Sequence, residues 1–277
     1  MTPYRKFGEK ALRWSALVLL LVGALGPPSA QGYPNGPLIQ VTDLTPACAG
    51  CHSSMSADQV RNLPPDFASK QVVDVKHYQA ILSGAGAYKD LSPADREKLV
   101  EGLKLLDANS TVTLSAPPTV NRGQPVTVTV TVKGGGGPVV GVFLLDSNLR
   151  YQARPIASGG WVVLGAPKVI GPDGAEQTKW VDSRAEGLGK NMSFVLIFGV
   201  KSDVAAGTFP VSTVTWTLRA PMEPGKYTMT AAFSYGSEKA FPLGAIPQAG
   251  GGVLPRGGGG GASGHLKFTP VATITVN

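Results

Sequence analysis

The sequence predicts a small all-α domain followed by an all-β antiparallel sandwich. Three observations carry that expectation. Helical patterning is confined to residues 48–109; an unbroken two-residue alternation starts at Val126; and from there to the end, strand-like runs are separated by turn residues. The composition agrees. With 36 glycines, 23 prolines and only 16% charged residues in 277, turns and strands are favoured over long charged helices, while 43% hydrophobic residues suffice for a core.

Residues 1–30 read as an export signal. Arg5, Lys6, Lys10 and Arg13 precede the apolar stretch Trp14–Leu25, and Pro27-Pro28-Ser29-Ala30 offers a small residue for cleavage. The apolar run is shorter than the roughly 20 residues of a bilayer span. A cleaved signal and an uncleaved N-terminal anchor both place the rest of the chain outside the cytoplasm, either in the periplasm or at the cell surface. The formal charge of +7 owes much to this leader. What remains is a mild positive excess without a Lys/Arg run, which argues against a nucleic-acid partner and leaves membrane or cell-surface association open.

Residues 31–110 form the helical domain. A proline- and glycine-rich lead-in reaches Pro46. Lys70–Ser83 carries an imperfect apolar stripe through Val73, Ala80 and Ile81, and predicts a helix of about three turns. The next helix is better marked. Ser92 suits the N-cap, Pro93 the first helical position and Asp95 the third, and Leu99, Leu103 and Leu106 share a face with Val100 alongside. Residues 111–277 form the β domain. Val126–Val132 alternates as a strand with one buried face, followed by runs at Val139–Leu145, Trp161–Leu164, Ser193–Val200, Val211–Leu218, Tyr227–Tyr235 and Leu266–Val276. Trp216, Tyr227 and Phe233 are expected in its core. Gly250–Gly264 reads as a long mobile loop, not a phosphate loop, because no Gly-Lys-Ser/Thr follows.

The most informative motif is Cys48-Ala49-Gly50-Cys51-His52. Two thiols at this spacing match the two vinyl groups of a porphyrin, and the following histidine lies under the iron. Cys48 and Cys51 are therefore candidate attachment residues for one covalent haem c, and His52 its proximal ligand. Three other uses compete. A thioredoxin-like pair would sit in a βαβ context, which is absent. A zinc site needs four ligands, and the nearest further candidate is His77. A structural disulfide is the third.

Together with Gly84-Ala85-Gly86-Ala87-Tyr88 and Leu91–Leu99, the motif resembles a compact monohaem c-type cytochrome over about 60 residues. The resemblance implies an all-α, cytochrome c-like fold and an electron carrier, not an enzyme, working with an unidentified redox partner protein. Ala87-Tyr88 stand where that family presents a distal Met-Pro. His77 is then the first candidate for the sixth iron ligand. An open five-coordinate iron and a methionine from the β region (Met192, Met222 or Met229) are the alternatives, and Tyr88 is expected to line the pocket. Bis-His ligation implies a low-potential carrier and an open iron implies a sensor.

Val211–Pro221, followed by Pro224-Gly225-Lys226-Tyr227-Thr228-Met229, resembles the late strands of Ig-like and reelin-type sandwiches of exported bacterial proteins. This resemblance implies docking, adhesion or display. No catalytic constellation stands out: His265 sits in a glycine-rich flank without triad partners, and Asp146, Asp173, Asp182 and Asp203 fall at expected turns. The expected function is an exported electron-transfer protein with a docking or display sandwich. The alternatives are a structural or adhesive surface protein with a Cys48–Cys51 disulfide, or a haem sensor.

Overall fold

The computed structural model describes residues 60–148, 153–184, 192–257 and 264–277. The alternation that marks the first long strand is realised directly. Val126, Val128, Val130 and Val132 are buried, whereas the threonines between them face outward or are half-covered. In the β region the described strands are β1 (Thr111–Ser115), β2 (Thr119–Val120), β3 (Pro125–Lys133), β4 (Val139–Leu145), β5 (Val162–Val163), β6 (Lys168–Ile170), β7 (Phe194–Phe198), β8 (Val211–Arg219), β9 (Gly225–Tyr235), β10 (Ala245–Pro247), β11 (Val253–Pro255), β12 (His265–Phe268) and β13 (Ala272–Val276). β11 lies inside the stretch expected to be a plain loop and pairs with β10 just before it.

The strands assemble into two main sheets. One runs β1-β3-β8, with β5 and β6 both paired to β8; the other runs β2-β13-β9-β4-β7, with β12 also on β9. β9 is long enough to serve two partners along one edge: Gly225–Met229 pairs with β13 and Ala232–Tyr235 with β12. The two sheets share one core. Val128 and Val130 lie opposite Trp216 and Val214 in register, and they belong to the same buried cluster as Leu144, Ile197 and Phe233. The Trp216 indole N–H donates to the Met192 carbonyl at 2.8 Å, which satisfies its polar atom inside the core. Trp216 and Phe233 are fully buried, and Tyr227 lies at the margin with its hydroxyl donating to the Glu223 carbonyl.

The outer strand β7 ends its sheet, and an open strand edge invites pairing with another chain. Here a side chain blocks it. Gln177 donates to the Phe198 carbonyl and accepts from the Phe198 N–H, both at 2.9 Å, much as a neighbouring strand would. The indole N–H of Trp180, on the short helix Lys179–Asp182, donates to the Phe194 carbonyl at 3.2 Å.

The helical segment differs from expectation. Its elements are α1 (Pro65–Gln71), a π-helical turn (Asp74–Tyr78), α2 (Gln79–Leu82), a 3₁₀ turn (Gly86–Tyr88) and α3 (Pro93–Asn109). α3 starts as predicted, with Ser92 Oγ accepting from the Asp95 N–H at 3.1 Å. The single helix expected over Lys70–Ser83 is broken instead. Val72 adopts an extended backbone and the chain resumes as a π turn. Consecutive β-branched residues at Val72 and Val73, with Val75 following, disfavour a continuous helix here. The break turns His77 and Tyr78 inward and leaves Val75 exposed.

The expected self-contained all-α, cytochrome c-like haem domain is therefore corrected. The described residues belong to one compact unit made mostly of strands. The helical cluster of Tyr78, Ile81, Tyr88, Leu91, Leu99, Val100 and Leu103 is closed by Phe241 and Leu243, which follow β9. The reason is size: the short helices carry too few apolar residues to enclose a core, and borrow the remainder from the sandwich. Gly102 makes that borrowing feasible, since a Cβ there would lie 2.6 Å from Phe241 Cε1.

Two stability measurements check these contacts. Replacing a helical glycine by alanine ordinarily gains about 1 kcal/mol. Gly102→Ala is expected to show no gain, or a loss, in urea unfolding because the methyl group meets the Phe241 ring. Gln177→Ala is expected to cost about 1–3 kcal/mol by stripping both partners from Phe198, with increased self-association seen by light scattering.

Candidate functional site: a buried carboxylate–histidine chain

The break after α1 has a chemical consequence. It places His77 at the end of the π turn, facing the loop after β9, where Ser237 and Glu238 begin a 3₁₀ turn. The last turn of α3 supplies Asp107, the end of β9 supplies Tyr235, and β12 opens on His265. His77 and His265 are 188 residues apart in sequence, yet their rings meet edge-on with centroids 5.1 Å apart.

These groups form one continuous hydrogen-bonded line. Glu238 Oε1 lies 2.5 Å from His77 Nε2. His77 Nδ1 lies 2.9 Å from His265 Nε2, and His265 Nδ1 lies 2.9 Å from Asp107 Oδ1. Four side chains thus meet in three contacts, and every ring nitrogen has a partner. Around the line, the Tyr88 hydroxyl donates to Glu238 Oε1 at 2.7 Å, Ser237 donates to Glu238 Oε2 at 2.5 Å, and Tyr235 donates to Asp107 Oδ1 at 2.5 Å. The Lys267 ammonium stands 3.2 Å from the same Asp107 oxygen and also donates to the Ser110 carbonyl. Tyr78 stacks on His77. His77 is 2% exposed and Glu238 0%, so water cannot substitute for the partners at that end, whereas Asp107 at the other end is half-buried.

The electrostatics follow from burial against partnership. Burial works against the charge on Glu238, but the hydrogen bond and attraction of His77, with Ser237 and Tyr88 donating, outweigh it and hold the carboxyl below the usual range. Burial likewise opposes the charge on Asp107; His265, Tyr235 and Lys267 overcome it and pull that carboxyl well down. The same burial, with Glu238 beside Tyr88 and Asp107 beside Tyr235 and Tyr78, pushes the three phenols above the ordinary tyrosine value. The carboxylates are therefore acceptors and the phenols donors.

A second tie lies beside the first. Arg256, after β11, donates to both carboxylate oxygens of Asp90, at 2.5 and 3.0 Å, to the Leu243 carbonyl at 2.8 Å, and to the Ala87 carbonyl. The turn at Gly86–Tyr88 is thereby held from both sides, since Tyr88 also reaches the Arg256 carbonyl at 3.3 Å.

Against the sequence-based expectations, the outcome is mixed. Cys48, Cys51 and His52 lie outside the described residues. His77 is buried, and both its nitrogens are taken by Glu238 and His265, so the ring offers none to an iron. Tyr88 turns to Glu238 instead of lining a haem pocket. Met192 and Met229 are buried in the sandwich core and Met222 is exposed. Asp146 binds Arg154, while Asp173 and Asp203 cap turns through the Ala175 and Ala206 N–H groups. The residues missed are Glu238, Asp107 and His265. No local pattern in the sequence marks them, because their partners in the line lie 158 to 188 positions away.

No family model matches the chain, and no curated protein does. Among solved structures it is similar to the CARDB domain of the PF1109 protein from Pyrococcus furiosus, which was solved in complex with di-metal ions. The identity is 12%, over 61% of this chain and 90% of that one, with a TM-score of 0.24. Among the described residues no group of three or more His, Cys, Asp or Glu side chains is arranged to hold a metal ion. The resemblance to a c-type cytochrome fused to an Ig-like or reelin-like sandwich is corrected: no family model supports it, and among the described residues no self-contained helical haem domain forms and no group is arranged to hold a metal, so the cytochrome, haem and iron-binding description is dropped for those residues. The physical reason is that the helices expected to wrap a haem pack on the sandwich instead, and their histidine is spent on a hydrogen bond.

Two outcomes test this geometry. Tyr88→Phe, which removes one donor from a buried carboxylate, is expected to cost about 1–3 kcal/mol in denaturant unfolding. The pH dependence follows from the depressed carboxyls of Asp107 and Glu238. Their contribution is fully present above the unfolded carboxyl range of about 4 and is lost as pH falls through their lower folded values. Acid unfolding of Asp107→Asn is accordingly expected to be shallower below about pH 4 than that of the parent protein.

Proposed function

We propose that this chain is an exported, non-enzymatic docking and display module. The β-sandwich is the rigid body, and the helical segment that follows the Cys48–His52 motif is the element it presents. The observation that carries this reading is the Glu238–His77–His265–Asp107 line, which fastens that segment to the turn after β9 and to β12 through charge-assisted hydrogen bonds, buried from Glu238 to His265 and half-buried at Asp107.

Three further points support it. The leader at residues 1–30 has the order of an export signal: a basic start, a short apolar run and a small-residue end. The guarded edge at β7 suits a module that works at its surface without assembling through its strands. The second cysteine of the pair lies only nine residues before Val60, so whatever chemistry the pair carries is tethered to the displayed segment.

Export and the state of the cysteines are measured together. The protein is expected in the extracytoplasmic fraction, with an intact mass that begins after Ala30 and with no thiol at Cys48 or Cys51 open to alkylation. A chain retained in the cytoplasm with both thiols free would contradict the reading. A mass loss of two hydrogens would mark a structural disulfide, as a display module needs. A gain of one covalent porphyrin would overturn the display reading in favour of an electron carrier.

A further inference from the structure

The three contacts of the buried line set a proton count. Each contact needs one hydrogen between its two heavy atoms. Glu238 and Asp107 accept, so His77 carries a hydrogen on Nε2 and His265 one on Nδ1. The contact between His77 Nδ1 and His265 Nε2 needs a third. Two neutral imidazoles carry two ring hydrogens and two imidazolium ions carry four. The line is complete only with three, that is, with one added proton shared by the pair.

Charge balance agrees with this count. The shared proton gives the histidine pair one positive charge, and Lys267 beside Asp107 gives another. These match Glu238 and Asp107. The remaining groups facing the line are Tyr78 and Tyr88 from the helical side, Tyr235 from β9 and Ser237 from the following turn, all neutral. Arg256 is spent on Asp90, beyond Tyr88. A fourth proton would set two N–H donors face to face between the rings, and removal of the third would leave two lone pairs there. Either change breaks the link between the helical segment and the sandwich at its midpoint.

We propose that the Glu238–His77–His265–Asp107 line is a single-proton latch, closed while its two imidazoles share one added proton and opened by gain or loss of one. The latch acts at the fastening on which the display reading rests, and it would regulate when the helical segment is held. Linkage gives the form of the response. With both imidazoles neutral the open state holds one proton fewer than the closed one, so closure weakens as pH rises. With both protonated the open state holds one more, so closure weakens as pH falls. The opening constant therefore passes through a minimum and rises about tenfold per pH unit on each side.

Hydrogen exchange of the full exported protein tests this, after correction for intrinsic exchange rates. Amides of residues 74–82 and 95–107 are expected to show the two-sided dependence between about pH 4.5 and 9, while those of β3 and β8 stay flat. His265→Gln, whose amide bridges without titrating, is expected to flatten both limbs. Should that variant fail to fold, imidazole nitrogen resonances of the parent protein give the count, with His52 as the third histidine signal. Three ring hydrogens on His77 and His265 at the minimum support the latch. Two or four there, a monotonic exchange profile, or helical and sandwich amides opening together would overturn it. An exported protein with a flat profile fails the latch alone; a cytoplasmic one fails the display reading.

Discussion

The attachment of the helical segment depends on a buried hydrogen bond between two histidines that are far apart in sequence. His77 belongs to a helical segment with too little apolar surface to fold by itself, and His265 begins a strand of the sandwich. A carboxylate at each end, Glu238 and Asp107, makes the contact one member of a charge-assisted line. Such a line is costly to bury and more costly to leave half-made. Its members must arrive together, and that requirement places the helices. Apolar closure by Phe241 and Leu243 then completes a cluster that the helices leave open.

Seen this way, several local irregularities share one cause. The interruption at Val72 and the π turn after it bring His77 inward. Gly102 lets the Phe241 ring approach α3, which keeps the turn bearing Ser237 and Glu238 close to that helix. Tyr88 sits on a turn braced by Arg256, and its hydroxyl completes the Glu238 carboxylate. Each feature costs something in isolation, and each is offset by the satisfied network it serves.

Much of this was legible in the sequence where the signal is local. The period-two alternation of Val126–Val132, the Ser92 cap and the leucine face of α3 all reflect interactions within a few residues, and all appear as expected. What was not legible is non-local. Nothing near Glu238 announces a histidine 161 positions earlier, and nothing near His265 announces Asp107. The Lys70–Ser83 stretch reads as one helix because periodicity does not report a break driven by β-branched residues and by the inward demand of His77. Reading His77 as an iron ligand rested on the missing distal Met-Pro and on its place after the Cys48–His52 motif, and in the structure its ring nitrogens meet Glu238 and His265. The family resemblance rested on short motifs, which carry no information about how the helices pack.

The central claim is that the hydrogen-bonded line through His77 acts as one unit that holds the helical segment to the sandwich. A double-mutant cycle on denaturant unfolding tests it most directly, using His77→Ala, Glu238→Ala and the pair. Groups coupled in a buried network are expected to show an interaction of about 1–3 kcal/mol, so that the second substitution costs much less once the first is made. Additive costs, within about 0.5 kcal/mol, would contradict the account.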